Sequence, residues 1–451
     1  MERNVSLPFE GREVELELPG GWELLGELRP NPMPGLGDPA SALKEALAAP
    51  IGCEPLRPED VKGRKIVLAV DDVTRPTPLH RFFGVVLEHL LGLGARREDM
   101  LVLPALGIHV KMTQEEMERK LGRENLEGLR WVNHDCRAME ELVDLGRTSR
   151  GTEVVLNRHL READLILCIG AVEPHALLGF GGGLKMILPG LAHERTIGQN
   201  HMQGVSPERY NYIGSVESPM RLDIEEAAGM LGRRIFIVNA VMNEKLEICR
   251  FVCGDPVKAQ REGAATARSI SGRSIEAPAD VVILASNPLN ADLRQGMKCI
   301  ANLEPAVRPG GLILALLECA RGIGDVAVPP KSLPHGMLRL ILGTLGRRRI
   351  LWFVDKVKKG AGVEERFLAH FSLQVVRQKR ILILSSKLPP DTGKRIGLFR
   401  QFSDPGEMLK AAWNLAPDGA RVLVFPYGGV TYPILTQVDF PPTQVDSAHP
   451  G

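Results

Sequence analysis

The sequence predicts an α/β protein of two domains, each a mostly parallel sheet flanked by helices, with the active site between them. Three observations carry this reading. Eight short, apolar, β-branched runs each break off into a polar or glycine-rich loop. Amphipathic stretches fill the intervals, the alternation expected of parallel strands joined by helices. A cluster of Ser, Gly and Pro at 269–278 then interrupts the pattern, which restarts at Val281.

The runs fall, in order, at 65–70, 100–106, 165–170, 235–241, 281–286, 311–317, 381–385 and 422–426. Their near-continuous apolar character suits strands covered on both faces. Between the first two, Phe82, Phe83, Val86, Leu87, Leu90 and Leu91 recur at helical spacing and Gly94 closes the segment. Thr113-Gln114-Glu115-Glu116 is a capping-box signature before a further helix. The Ser/Gly/Pro cluster reads as a linker. The expected domains are therefore 1–272 and 278–426, with the segment 427–451 free to return to the first. The stretch 323–349, rich in Pro, Gly, Leu and Arg, reads as a loop insertion or a partner surface, and the tail 441–451 as poorly ordered.

Composition narrows the classes. A chain of 451 residues with 44% apolar and 25% charged residues can bury more than one core. With 56 basic against 55 acidic residues the net charge is +1, which gives no footprint for nucleic acid or an anionic membrane. No run approaches the roughly 18 apolar residues of a spanning helix. The start, Met1 to Ser6, lacks the apolar run of a signal peptide, so the expected compartment is the cytoplasm. The seven cysteines are odd in number and scattered, against a disulfide framework. Cys249 and Cys253 lack the second pair that a zinc site needs.

Ligands of open parallel sheets bind beyond the carboxyl ends of the strands, so the residues there are the ones to read. The first run ends in Asp71-Asp72-Val73-Thr74-Arg75-Pro76, the second in Gly107-Ile108-His109, the third in Glu173-Pro174-His175. An acid–arginine pair and two histidines thus reach one edge. Next comes a glycine loop, Gly179-Phe180-Gly181-Gly182-Gly183-Leu184-Lys185, closing in Pro189-Gly190. It matches neither the P-loop nor the dinucleotide fingerprint. Lys185 reads either as a point charge for phosphate or as a covalent attachment site. His193 and His201 follow, with Asn200 beside the second. One histidine without nearby carboxylates or thiols is a poor complete metal site, but it completes a metal already held by a cofactor. In the second domain Gln295 and Lys298 share a helix face, an amide and an ammonium suited to a carboxylate.

Taken together and in order, Asp71-Asp72-x-Thr-Arg-Pro, Gly-x-His109, His134-Asp135, Glu173-x-His175, Gly-Phe-x-Gly-Gly-x-Lys185-x-x-x-Pro-Gly and Gln295-x-x-Lys298 resemble the nickel-dependent lactate racemase family, over roughly 71–432. The resemblance implies a racemase or epimerase that inverts C2 of a 2-hydroxy acid. The implied route is proton-coupled hydride transfer through a 2-keto acid. It implies nickel in a pincer nucleotide, pyridinium-3-thioamide-5-thiocarboxylic acid mononucleotide, covalently attached to Lys185, with His201 as the remaining nickel ligand. His109 and His175 would be the paired acid–bases. Asp72, Thr74, Arg75, Gly182 and Gly183 would surround the cofactor, and Arg75, Gln295 and Lys298 would hold the substrate. Cofactor-biosynthesis enzymes are implied partners. The sequence departs from the family pattern at Leu106, Val110, Gly181 and Arg294, all on the pocket wall, so lactate, malate and longer or sugar acids all stay open as substrates. The alternatives are a sugar-acid 2-epimerase of the same family and, from other classes, a cofactor-binding protein without turnover, a zinc hydrolase and a nicotinamide dehydrogenase.

Overall fold

The computed structural model describes residues 4–205, 209–324, 375–416 and 418–436, with isolated positions between 325 and 374. The stretch 323–349 lies mostly, and the tail 441–451 wholly, outside them.

Two six-stranded sheets organise the chain. The first runs in the spatial order Ile248–Gly254, Arg234–Met242, Leu165–Ala171, Ile66–Val70, Met100–Pro104, Arg130–Trp131. All neighbours are parallel except the edge strand Ile248–Gly254, which returns antiparallel to Arg234–Met242. Successive side chains point to opposite faces of a strand. Val67 and Ala69 accordingly join one apolar layer, and Ile66, Leu68 and Val70 the other. Both faces are covered, which is why these strands read as continuous apolar runs.

The second sheet is parallel throughout, in the order Arg400–Phe402, Arg380–Leu384, Val307–Leu316, Ala279–Ala285, Arg421–Phe425, Glu23–Glu27. Val282 and Leu284 face one layer, Val281, Ile283 and Ala285 the other. All eight expected runs are strands of these two sheets. The helix Phe83–Gly92 forms, preceded by a turn of 3₁₀ helix at Leu79–Arg81. The capping box forms too: Glu116 N donates to Thr113 Oγ1 at 3.2 Å, and Thr113 N to the Glu116 carboxylate at 3.0 Å.

The sheets depart from the expected division at 1–272. The hairpin Asn4–Phe9/Arg12–Glu17 lays Val5, Leu7, Phe9 and Leu16 onto the second sheet, and Glu23–Glu27 is an edge strand of that sheet. The physical reason is that a hairpin with one apolar face is stable only when a sheet covers that face, and the outer layer of the second sheet needs the cover. The expected linker also differs: it is the end of the helix Lys258–Ser271 running into a strand, Gly272–Ile275, paired in parallel with Tyr432–Leu435. Tyr432 meets Phe180 of the first domain edge-on, ring centres 6.0 Å apart.

In the first sheet the chain leaves Ile66–Val70 toward one edge and later returns through Leu165–Ala171 on its other side. The loops beyond these two neighbours diverge and open a crevice. Among the described residues, no helix is long and apolar enough to cross a membrane.

Candidate active site

The loop after Ile66–Val70 carries Asp72 into this crevice. Thr74 N donates to Asp72 Oδ1 at 2.6 Å, an Asx turn that fixes the carboxylate. The other oxygen meets His109 Nδ1 at 2.9 Å. His109 is delivered by a tight turn in which Gly107 adopts φ +56° and its N–H donates to Gly190 O at 2.8 Å. Asp72 is only 3% exposed. Burial alone would raise its pKa, but the hydrogen bond and charge of His109, with Arg75 beside it, hold it well below the usual carboxylate range. An ionised Asp72 accepts the Nδ1–H hydrogen bond and so leaves the lone pair of His109 on Nε2.

His175 is wired the other way. Its Nδ1 accepts the backbone N–H groups of Leu177 and Leu178, each at 3.3 Å. In the neutral ring that arrangement puts the proton on Nε2, so this nitrogen starts as a donor. Burial, then the cations Lys185, Lys298 and Arg75, push its pKa well down. Beside it Glu173 pairs with Arg75 across 3.5 Å. Despite its burial, Arg75, Lys185 and Lys298 keep Glu173 ionised, with a lowered pKa.

The glycine loop is held by its backbone. Gly182 and Gly183 have φ +73° and +60°. A Cβ on Gly182 would stand 2.8 Å from Ala171 O and 2.9 Å from Asn239 Oδ1. Gly183 N donates to Asn239 Oδ1 at 2.6 Å. Arg221, 1% exposed, donates to the carbonyls of Phe180, Gly181 and Gly182, and Gln260 adds a bond to Gly181 O at 3.2 Å. Arg221, Asn239 and Gln260 have no motif spacing and bind main-chain atoms, so the sequence offers no signal for them. The loop presents Lys185, itself buried. Burial first, then repulsion from Arg75, drives its pKa well below the ordinary lysine value. The neutral amine thus favoured is a nucleophile.

His201 lies on the helix Glu194–Gln203. Its Nδ1 donates to Ile197 O at 2.7 Å, so the lone pair of the neutral ring lies on Nε2. Asn200 anchors the same helix, its amide donating to the buried carboxylate of Asp223 at 2.7 Å. His193 caps this helix, Nδ1 accepting Arg195 N at 3.2 Å. His134, of the His134-Asp135 element, is buried outside the crevice between Ala192 O at 3.1 Å and Asn157 Nδ2 at 3.2 Å, where it pins the loop before that helix.

From the second domain, the helix Leu293–Leu303 packs against the Pro174–His175 strand. Asp292 caps it by accepting Gln295 N at 3.0 Å. Lys298 Nζ donates to Gln295 Oε1 at 3.0 Å, so the two occupy one face. Burial, then Arg75, pushes the Lys298 pKa down to about 7, and Arg294 adds to the repulsion. An anionic ligand relieves that crowding. Among the described residues, no three His, Cys, Asp or Glu side chains gather as a metal cluster. A metal at His201 therefore needs donors from a bound group.

Residues 9–211 match the family model described as the lactate racemase N-terminal domain. The lactate racemase of Thermoanaerobacterium thermosaccharolyticum is 32% identical over 389 residues, which span 86% of this chain and 88% of that protein. That of Lactiplantibacillus plantarum is 28% identical over 393 residues, 86% of this chain and 89% of that protein. The lactate racemase apoprotein structure from T. thermosaccharolyticum superposes with a TM-score of 0.79 at 26% identity, covering 96% of this chain and all of that one (100%). A Thermotoga maritima structure shares the fold, with a TM-score of 0.65 at 21% identity, covering 88% of this chain and 99% of that one.

Proposed function

Because this chain belongs to the lactate racemase family and is an isomerase, we propose that it inverts C2 of lactate or a closely similar 2-hydroxy acid, using a nickel pincer nucleotide tethered to Lys185. The observation that carries the reading is the convergence on one crevice of a buried Lys185 whose ammonium form is disfavoured, the Asp72–His109 pair and the Gln295–Lys298 face. The residues fit the group. Lys185 offers the amine for attachment, and His201 offers one imidazole nitrogen to nickel. Thr74 Oγ1 is buried without a hydrogen-bond partner, a hydroxyl suited to a phosphate or ribose oxygen. Gly182 and Gly183 pack too closely on Ala171, Asn239 and Gln260 to carry a Cβ, which fixes the loop that presents Lys185. When bound, the nucleotide supplies hydride acceptance and return at its pyridinium ring.

The chain's own residues do the rest. Lys298 and Gln295 grip the carboxylate, and Arg75 adds positive charge nearby. His109 Nε2 takes the hydroxyl proton of one enantiomer, and Asp72 stabilises the resulting imidazolium. The other enantiomer presents its hydroxyl to the other side, where His175 serves. In its resting tautomer His175 Nε2 donates, so accepting a proton there requires that Nδ1 exchange its backbone donors for a proton. The two histidines are thus unequal partners. This same need for two acid–bases disfavours a cofactor carrier without turnover, because such a protein has no use for the Asp72–His109 pair.

The test is intact mass with nickel analysis after co-expression with the cofactor-making enzymes, followed by chiral assay of L-lactate. A mass adduct with bound nickel and conversion to the racemic mixture is the expected result. An unmodified, nickel-free chain from cells that load a known family member sinks the reading. His201→Ala is expected to keep the adduct and lose most of its nickel, by about 10–100-fold in affinity; full nickel retention on dialysis against a chelator removes His201 as the ligand. The pH profile follows from Lys298. Its ammonium form exists below its pKa, so the grip on carboxylate is present below about 7 and fades above it. kcat/KM is expected to fall through that range, and Lys298→Arg to move the fall to higher pH. An unchanged profile in that variant assigns the titration elsewhere.

A further inference from the structure

The segment 209–215 lies between the domains and touches both halves of the site. Toward the first, Tyr212 N donates to Ala176 O at 2.6 Å, one residue past His175. Gly179 lies so near Ser215 that a Cβ would overlap the Ser215 carbonyl. Toward the second domain, Tyr210 Oη donates to Glu304 Oε1 at 2.8 Å, and Asn211 Nδ2 donates to Ala301 O at 2.7 Å. Glu304 is 5% exposed and also pairs with Lys379 Nζ at 3.2 Å. Ala301 and Glu304 end the helix whose first turns carry Gln295 and Lys298. The segment also leads to Ser218, the cap of the helix that brings Arg221 to the glycine loop.

We propose that Tyr210 and Asn211 are positioning residues that fix the gap between His175 and the Gln295–Lys298 anchor. The inference rests on the proposed function, in which the substrate bridges the two domains. A ligand held from both sides binds only the fraction of molecules whose domains are correctly spaced, and its apparent affinity falls with that fraction. Hydrogen bonds made before the substrate arrives raise the fraction. The geometry favours spacing over mere adhesion, because both bonds end on the anchor helix and the neighbouring amide bond ends beside His175. The role belongs to binding, so it moves KM and leaves the chemical step and cofactor attachment alone.

Tyr210→Phe removes one hydroxyl, keeps the ring, and leaves Glu304 paired with Lys379, so the fold is retained; Asn211→Ala and the double variant complete the set. Two measurements decide. In the apoprotein, hydrogen exchange of peptides covering 209–215 and 301–304 is expected to quicken about tenfold in the double variant, with the strand Leu165–Ala171 unchanged. In the loaded enzyme, KM for L-lactate is expected to rise about tenfold with kcat within a factor of about two and adduct mass unaltered. Binding of 2-hydroxyisobutyrate, which lacks an α-hydrogen and does not turn over, weakens in parallel. Unchanged exchange, unchanged KM, or a fall in kcat at constant KM each overturns the proposal. A wild-type chain that carries no adduct and does not racemise lactate defeats the proposed function instead, and the exchange measurement then decides on Tyr210 and Asn211 alone.

Discussion

Lys185→Ala yields a folded chain with no covalent adduct, no retained nickel and racemase activity at background. Attachment needs an unprotonated amine, and the surroundings favour one: burial, Arg75 and Lys298 all disfavour the ammonium form at this position. The same forces predict the effect on the apoprotein. An amine crowded by other cations contributes little to stability, so the alanine variant melts no lower than the unloaded parent. Lys185→Arg separates charge from nucleophilicity. It restores a cation at the site but offers no amine for acylation, and it too stays unloaded. Intact mass after co-expression with the cofactor-making enzymes reads all three chains. An adduct on Lys185→Ala defeats the tether assignment whatever the activity shows.

Asp72→Asn acts on one proton. The wild-type carboxylate accepts from His109 Nδ1 at 2.9 Å and leaves Nε2 bare. An asparagine amide in its place donates to Nδ1, which moves the ring proton to Nε2 and removes the base while keeping the shape. The expected result is a drop in kcat of about 10²–10⁴-fold with KM little changed and full cofactor loading. A kcat within about threefold of wild type assigns the hydroxyl proton to another group. The stability deficit of the variant relative to wild type also shrinks at low pH. Asp72 has a lowered folded-state pKa, so it contributes stability above its unfolded pKa of about 4 that is lost as the pH falls toward the folded value. The variant has no such loss.

Legibility in the sequence followed what each residue touches. Strands covered on both faces announce themselves as apolar runs, and all eight were readable. The N-terminal hairpin buries one face only, and its partner lies some 270 residues away, so nothing local marked it as part of the second sheet. Asp72, Arg75, His109 and His175 stood out as candidates because they follow strand ends. The crevice brings Asp72, Arg75 and Lys185 near Lys298, 113 positions after Lys185, as their mutual electrostatic effects record. What the sequence withheld was wiring. Nothing in it distinguishes a histidine whose Nδ1 donates to a carboxylate from one whose Nδ1 accepts backbone amides, yet His109 and His175 differ in this way. The residues that cage the glycine loop stayed silent for a related reason: Arg221, Asn239 and Gln260 answer to main-chain carbonyls and amides, which carry no letter in the sequence.

The placement of Glu23–Glu27 beside Arg421–Phe425 has a consequence for how the protein is made. The ribosome delivers the edge of the second sheet first and its neighbour almost last. Val5, Leu7 and Phe9 therefore wait, uncovered, while about 270 residues are synthesised, and Glu23–Glu27 waits about 400 for its strand partner. The first sheet can close on itself as soon as Gly254 has emerged, but the second matures only after Phe425 leaves the exit tunnel. Such a long contact slows assembly and leaves an apolar hairpin available to chaperones or to aggregation in the interval. Joining both ends of the chain in one sheet also means that trimming the first 28 residues damages the domain that is numbered last.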